Sequence, residues 1–460
     1  MATPAPPLVV TSRVRSITPG ALSPRRETLG VTGRRCQATD SGYGLGHGGG
    51  VVKKARWRDV FGHAEFRALF LAGVLSVIGD QLARVALSVL VFERTESAGL
   101  TALAYALTYV PDLLFGPLLA GFADRYPRRR VMIITDLARA VLVAAMAIDA
   151  LPLVVVILLL VALQAFGSPF NAARAATLPV VLPDDHYVLG KAANDMVVQF
   201  SQVLGFGTGG LAVVAVGTSG GLLLDSGTFL LSAAFITFGV RNRPAPTQTS
   251  SEDEPRPSYF KDLVAGASLV ARTPRLRALV ILATVAGFYV TVEGLAVPYA
   301  AEIGGGPEAA GLLLAAQPAG AVIGMWLVTL WSPERRMRFL GPLAVAACVP
   351  LVFCALTPGL PVTVLLWGLS GAASAYHLPA SASFVQAVPD HQRGQAFGVA
   401  STALKSSQGL GILLAGVLAE RFTPSLALAL MGAAGALVAI AAGAAWGRAR
   451  RISTDIVKSG

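Results

Sequence analysis

Charge is what this chain has least of. Asp, Glu, Lys and Arg make up 14% of its 460 residues, against roughly 25% in an ordinary soluble domain, which excludes a water-covered surface around one core. With 54% hydrophobic residues and a mean hydropathy of +0.63, the implied solvent is lipid. Cysteine is also scarce. Cys36 stands far from the other two, while Cys348 and Cys354 lie in one apolar run, a placement that suits packing and has no metal-ligand spacing. Gly190-Lys191 is followed by Ala192 where a phosphate-cradling loop needs Ser or Thr. There is no His or Cys cluster for a metal and no nucleophile elbow. These gaps exclude an ATP-driven pump and an enzyme, and require neither metal nor cofactor.

The net charge of +11 would suit nucleic acid only if the basic residues shared one accessible face. They fall instead in short loops between apolar runs, so no nucleic-acid partner is expected. Residues 1–60 differ: Arg13, Arg15, Arg25, Arg26, Arg34 and Arg35 are mixed with Pro, Ser, Thr and Gly and no packable pattern. A disordered basic tail is expected there, or a start assigned too far upstream. Leu8-Val9-Val10 is too short for the core of a signal peptide.

What is present is a series of apolar runs, each long enough to cross a hydrocarbon core of ~30 Å at ~1.5 Å per residue. Six are expected at 66–92, 100–123, 131–148, 152–169, 188–216 and 220–239. Six more follow at 278–301, 309–331, 339–356, 362–384, 396–418 and 424–446. The expectation is an all-α membrane protein of twelve transmembrane helices. An N-terminal six-helix bundle occupies 61–241, a linker 242–275, a C-terminal six-helix bundle 276–447 and a tail 448–460. Lys and Arg stay preferentially on the cytoplasmic side. Arg125, Arg128, Arg129, Arg130, Lys191, Arg335, Arg336, Arg338 and Arg393 fall in alternate loops, which places both termini and the linker in the cytoplasm of a cell whose inner membrane holds the chain. Phe260, Leu263, Val264, Leu269 and Val270, with Lys261, Asp262 and Arg272, have the pattern of an amphipathic helix on that membrane face.

The two halves repeat each other. Pro183-Asp184 recurs as Pro389-Asp390, Ser201-Gln202 as Ser407-Gln408, Gly205 as Gly411, Gly210 as Gly416, and Pro127 with Arg129-Arg130 as Pro333 with Arg335-Arg336, all at one offset of 206 (389 − 183). Because that offset spans an even number of helices, the halves share one membrane orientation and form pseudo-symmetric parallel repeats.

Between the second and third runs stands Gly121-Phe122-Ala123-Asp124-Arg125-Tyr126-Pro127-Arg128-Arg129-Arg130. This run resembles the cytoplasmic signature loop of the major facilitator superfamily, with Ala120 and Pro127 where the family usually has Gly. With Asp136 and Arg139 added, it resembles the multidrug, macrolide and enterobactin exporter branch. The resemblance covers about residues 66–446 and implies the major facilitator fold. It also implies a gating latch of Gly121, Asp124, Arg125, Arg128, Arg129 and Arg130, with Arg174 and the N-terminus of the eleventh helix as partners of Asp124. A positive-inside anchor explains the arginines alone but not the acid. In the second copy Leu330 and Trp331 replace the Asp-Arg pair. Gly205-Phe206-Gly207-Thr208-Gly209-Gly210 lies within an apolar run, which rules out a dinucleotide fingerprint. It is similar to the Gly-rich motif of family antiporters, with Phe206 in place of Pro; Gly205, Gly209 and Gly210 serve either that role or plain helix packing.

Ionisable groups inside a span cost ~2.5–3.5 kcal/mol on insertion scales, so those present need a reason. Asp80 and Arg84 lie one turn apart on the first helix and are expected to pair. Glu293 stands on the seventh helix with no local partner, close to the repeat equivalent of Asp80. Glu293, Asp80 and Arg84 are the proton-coupling candidates. Asp112, Asp136, Arg139, Asp195 and Asp225 read as structural. Gln202, Gln408, His377 and Lys405 are candidates to face a central cavity.

Together these readings predict a secondary transporter that works as a monomer in the bilayer on a small-molecule substrate, with the proton gradient as its energy source. Export of an amphipathic drug, antibiotic or siderophore suits a cavity with few charges. An importer of the same fold, and a membrane sensor or assembly factor that does not transport, are the alternatives.

Overall fold

The computed structural model describes residues 57–109, 126–182, 185–243, 259–389 and 392–459, and among them every regular element is a helix. In the first half these are α1 (Trp57–Gly62), α2 (Ala64–Thr95), α3 (Ala98–Ala106), α4 (Arg128–Met146), α5 (Leu153–Val181) and α6 (Asp185–Gly239). α7 (Tyr259–Arg272) leads into the second half. There α8 (Pro274–Thr284), α9 (Ala286–Tyr289) and α10 (Thr291–Glu302) follow one another, then α11 (Pro307–Thr329), α12 (Pro333–Arg338) and α13 (Leu340–Val352). The last four are α14 (Leu360–Ala373), α15 (His377–Ala387), α16 (Arg393–Arg421) and α17 (Pro424–Ser459).

Starts are set by local chemistry. Ser97 caps α3 by accepting from the Leu100 N–H at 2.9 Å, and Pro274, Pro307 and Pro333 occupy first turns, where no intrahelical N–H partner is lost. Proline does not always stop a helix here. The fourth span was expected to end at Pro169, yet α5 continues through Pro169 and Pro179 to Val181. Neighbouring helices in a membrane bundle can satisfy the carbonyls such a residue frees.

Among the described residues, seven helical segments are apolar and long enough to cross a membrane, including Ala64–Thr95, Met196–Gly239 and Pro307–Thr329. Large apolar side chains point outward along them, including Leu158 at 63%, Leu211 at 62% and Leu437 at 69% exposed. Apolar groups outside and polar groups inside are the arrangement lipid demands. The expected fifth and sixth spans appear as one element, α6, broken at Gly217 (φ 76, ψ 174). Positions on either side of that break face the same stretch of α2. A Cβ at Gly209 would lie 3.2 Å from the Leu82 Cα, and one at Gly221 3.2 Å from the Ala86 Cβ. Gly239 abuts Ala68 and Gly190 lies beside Phe66. The chain therefore doubles back at Gly217 as two antiparallel helices.

The ends of the assembly differ. One carries Arg128–Arg130 and the Arg335, Arg336 and Arg338 cluster of α12, and is called here the basic end. At the opposite, far end the halves close on each other: a Cβ at Gly311 of α11 would meet the Gly210 Cα and N and the Phe206 carbonyl of α6, all at 2.8 Å. α7 packs on α16 through Gly266, whose Cβ would meet the Gln395 carbonyl at 2.5 Å, while Val264 faces outward.

Candidate functional site

A cavity of about 510 Å³ lies between the halves, running from the basic end to mid-depth. Its walls are mostly apolar, with Phe206, Met325, Phe384 and Phe397 among them, and its polar groups are few: Gln202, Glu293, Gln317, His377 and Gln408 stand out. Of the four expected cavity residues, Gln202, His377 and Gln408 line it and Lys405 does not. The helix register of α16 explains the difference, since Ser401, Leu404 and Gln408 share the face turned to the cavity.

Glu293, at the start of α10, is the acid in that wall. Contrary to its isolation in the sequence, it has a partner in the other half: the Tyr109 hydroxyl donates to its Oε2 at 2.8 Å. No sequence spacing links positions 109 and 293, so only the fold reveals the pair. His377 Nε2 and the Tyr289 hydroxyl share a hydrogen bond of 2.8 Å, and the His377 ring stacks on Tyr376 at 4.4 Å between centroids. The Gln317 side chain donates to the Tyr289 carbonyl at 3.3 Å, which ties α11 to α9 in the same wall.

The expected Asp80–Arg84 pair does not form. Asp80 instead takes Arg139 of α4, whose Nη2 donates to its Oδ1 at 2.5 Å while Nη1 donates to the Ser76 hydroxyl at 3.2 Å. Arg84 turns to the other side, with its guanidinium 5.6 Å from the Tyr105 ring centre. A one-turn spacing permits a pair, but a charge-assisted bond to a nearly buried guanidinium under the Phe229 ring, 4.0 Å away, is the stronger partner.

At the basic end Arg128 donates to the Ala176 carbonyl at 2.7 Å and Arg129 to the Thr237 carbonyl at 2.5 Å. Both arginines thus tie α4 to the C-terminal turns of neighbouring helices, where a cation opposes the helix dipole. Arg130 is exposed. Arg174 bonds to Asn194 and lies against Gly73. Gly121, Asp124 and Arg125 fall outside the described residues, as do Asp112 and Cys36; the Asp195 side chain is likewise not described. Of the Gly-rich run, Gly205 and Gly209 press on α2 and Gly210 on α11, all as close helix contacts.

The far end carries a clamp that sequence reading missed. Glu420 of α16 accepts from the Ser97 hydroxyl at 2.5 Å and from the Gly99 N–H at 2.8 Å, so a carboxylate from the second half caps α3 of the first. Glu302 similarly accepts from the Ser425 N–H at 2.8 Å within the second half. Among the described residues no group of His, Cys, Asp and Glu is arranged to hold a metal.

The profile of the Major Facilitator Superfamily matches residues 69–371 and 279–455. The multidrug efflux pump Tap of Mycolicibacterium fortuitum is 28% identical over 366 residues, 76% of this chain and 88% of that protein. Tap of Mycobacterium tuberculosis (strain ATCC 25618 / H37Rv) is 28% identical over 391 residues, 81% and 92%. The enterobactin exporter EntS of Shigella boydii is 27% identical over 272 residues, 57% and 62%. Among solved structures, the fold is similar to a bacterial homolog of the human lysosomal transporter Spinster (TM-score 0.67, 15% identity, 84% of this chain and 96% of that one). It is also similar to the nucleoside transporter NupG (TM-score 0.67, 12% identity, 83% and 99%). The profile covers nearly the whole helical region, and the chain is a multi-pass membrane protein belonging to the Major Facilitator Superfamily, a family of transporters and not of enzymes.

Proposed function

We propose that the protein exports amphipathic small molecules from the cytoplasm across the inner membrane by proton antiport, as a monomer of two six-helix halves at 61–241 and 276–447. The observation that carries this reading is the cavity itself: about 510 Å³, walled by aromatic and aliphatic side chains, with one carboxylate at its inner end. Such a wall suits drug-sized amphipathic ligands better than sugars, which need many polar partners. The names of the relatives, multidrug efflux pump and enterobactin exporter, support the export direction and leave the substrate class at drug, antibiotic or siderophore. The basic end faces the cytoplasm by the positive-inside rule, so the cavity takes substrate from inside while the far end is shut. Glu293 and Asp80 carry the proton, and Arg84 lies between them. The residues of the signature loop, with Arg174, serve as the cytoplasmic latch; Gly205, Gly209 and Gly210 serve as close-packing seams. Energy comes from the proton gradient, with no cofactor.

The test is uptake into inverted vesicles of a panel of dyes, antibiotics and siderophores under an imposed pH gradient. Accumulation of at least one, abolished by a protonophore, is expected; efflux in the opposite sense identifies an importer, and no movement of any compound removes export of these classes.

Each end of the assembly can be probed separately. Asp124→Asn is expected to insert normally but slow transport, because a latch that lacks its acid no longer favours closure; transport at the parental rate removes the gating role. Glu420→Gln keeps the shape of the clamp and weakens its two charge-assisted hydrogen bonds. At an exposed site the effect is modest, about two- to fivefold toward the form open at the far end, read as faster alkylation of a cysteine placed at Ala98, a buried neighbour of Glu420 that takes no part in the clamp. An unchanged labelling rate counts against the clamp.

A further inference from the structure

Behind the cavity wall, where α2, α4 and the second arm of α6 meet, lie three carboxyl groups for one contacting guanidinium. Asp136 and Asp225 are both fully buried. Arg139 is committed to Asp80 at 2.5 Å and stands 4.0 Å from Asp136 Oδ1. Asp136 Oδ2 accepts from the Ser232 hydroxyl at 2.6 Å, and Asp225 Oδ1 from the Thr228 hydroxyl at 3.1 Å. The other oxygen of each, Asp136 Oδ1 and Asp225 Oδ2, is buried with no hydrogen-bond partner among the described residues. The cluster is tight: a Cβ at Gly79, the neighbour of Asp80, would strike the Asp225 carboxyl and the Thr228 hydroxyl.

The other charges nearby do not balance the count. On α2, Arg84 lies against Tyr105, paired with neither acid but within electrostatic reach of both Glu293 and Asp80. On α5, Arg174 reaches Asp136 only at longer range and bonds to Asn194. Asp225 makes no ion pair among the described residues and sits in an apolar wall with Leu222 and Phe229. A buried carboxylate without a counter-ion is costly, and a proton held within the cluster removes that cost. A metal cation is disfavoured because Arg139 already occupies the centre with positive charge and no metal-ligand grouping occurs among the described residues. A small cavity of about 20 Å³ lined by Asp80, Arg84 and Gln164 adjoins the cluster. That volume holds one water with polar partners.

We infer that the Asp80–Asp136–Asp225 cluster is a second proton-binding station, separate from Glu293 and linked to it electrostatically through Arg84. Binding adds one proton to one carboxylate oxygen and raises the charge of the protein by one; no other bond is made or broken. Loading either station changes the field at Arg84, so each biases the other by the same factor. Use of this station in transport rests on the proton-antiport reading, whereas its existence does not.

Infrared spectroscopy of the purified full chain in nanodiscs, needing no substrate, separates the two. Aspartate labelled with ¹³C at its side-chain carboxyl shifts the protonated-carboxyl bands of aspartic acids and leaves that of Glu293; glutamate labelled in the same way does the reverse. The expected result is an aspartic-acid band in the wild-type protein that is lost or reduced in Asp225→Asn or Asp136→Asn, and whose pH midpoint moves in Glu293→Gln. No aspartic-acid band at any pH at which the protein stays folded overturns the proposal. So does a band undiminished in both variants, and a midpoint indifferent to Glu293→Gln overturns the link. Where an asparagine variant does not fold, Asp136→Glu and Asp225→Glu decide the matter, since each keeps an acid at its site and moves its band from the aspartate label to the glutamate label.

Discussion

Glu293→Gln is expected to abolish pH-gradient-driven accumulation of substrate by purified, reconstituted protein, down to the level of empty vesicles, while substrate binding stays within about threefold of the parent. The side chain lines the cavity and accepts from the Tyr109 hydroxyl at 2.8 Å. Glutamine has nearly the same volume and keeps an oxygen for that hydroxyl, so the contact between halves survives. What it loses is the proton. In antiport the acid must be charged in one facing state and neutral in the other, and a group that cannot titrate holds the two states at a fixed ratio. Downhill exchange of substrate is expected to persist for the same reason. Tyr109→Phe provides the contrast: it removes a partner and leaves the titration, so it is expected to retain accumulation at a reduced rate. Full accumulation by Glu293→Gln removes it as an essential coupling residue and moves the role to Asp80.

Gly311→Leu is expected to reduce transport by at least about tenfold, the equivalent of ~1.4 kcal/mol, with the protein still inserted. The first carbon of any side chain there meets the backbone of Gly210 and Phe206 at 2.8 Å. Backbone atoms of a packed helix yield only if the helix moves, and overpacking of this kind costs ~1–3 kcal/mol. The cost falls on the one state in which the far end is shut, because the two glycines part when it opens. Spin labels at Thr218 and Glu308 are expected to report a longer distance in Gly311→Leu than in the parent, with Gly311→Ala between them. Equal distances and equal transport rates in all three proteins count against closure along this seam.

The helices are legible in the sequence to the extent that lipid makes them so. Long apolar runs with charged loops locate α2, α11 and α16 within a few residues, and α17 at its start, because each must satisfy its own backbone in hydrocarbon; α17 runs on to Ser459, well past the expected end at 446. Pro169 misleads, since the rule that proline ends a helix is written for water. The candidate site is legible only in part. Glu293, Gln202, Gln408 and His377 are found as polar intruders in apolar runs, and all four line the cavity. Their partners are not found. Local spacing pairs Asp80 with Arg84, while the fold supplies Arg139 from a position 59 residues away. The Glu420 cap on α3 spans 323 residues. An interaction between distant segments leaves no periodicity to read, and without the fold the buried aspartates of α4 and α6 look like ordinary helix-end residues.

The reversal at Gly217 bears on how the protein is made. The segment Met196–Gly239 has 44 residues, which as one straight helix would reach roughly 66 Å at 1.5 Å per residue, about twice the ~30 Å hydrocarbon core. Gly217 turns the chain with φ 76 and no intervening loop, so the two arms must leave the insertion machinery together as a helical hairpin. A β-branched residue at that position disfavours the left-handed turn. If the arms then entered as one crossing instead of two, every later segment, from the linker through α17, would be threaded with the opposite sidedness. One glycine thus carries the reversal on which the sidedness of every later segment depends.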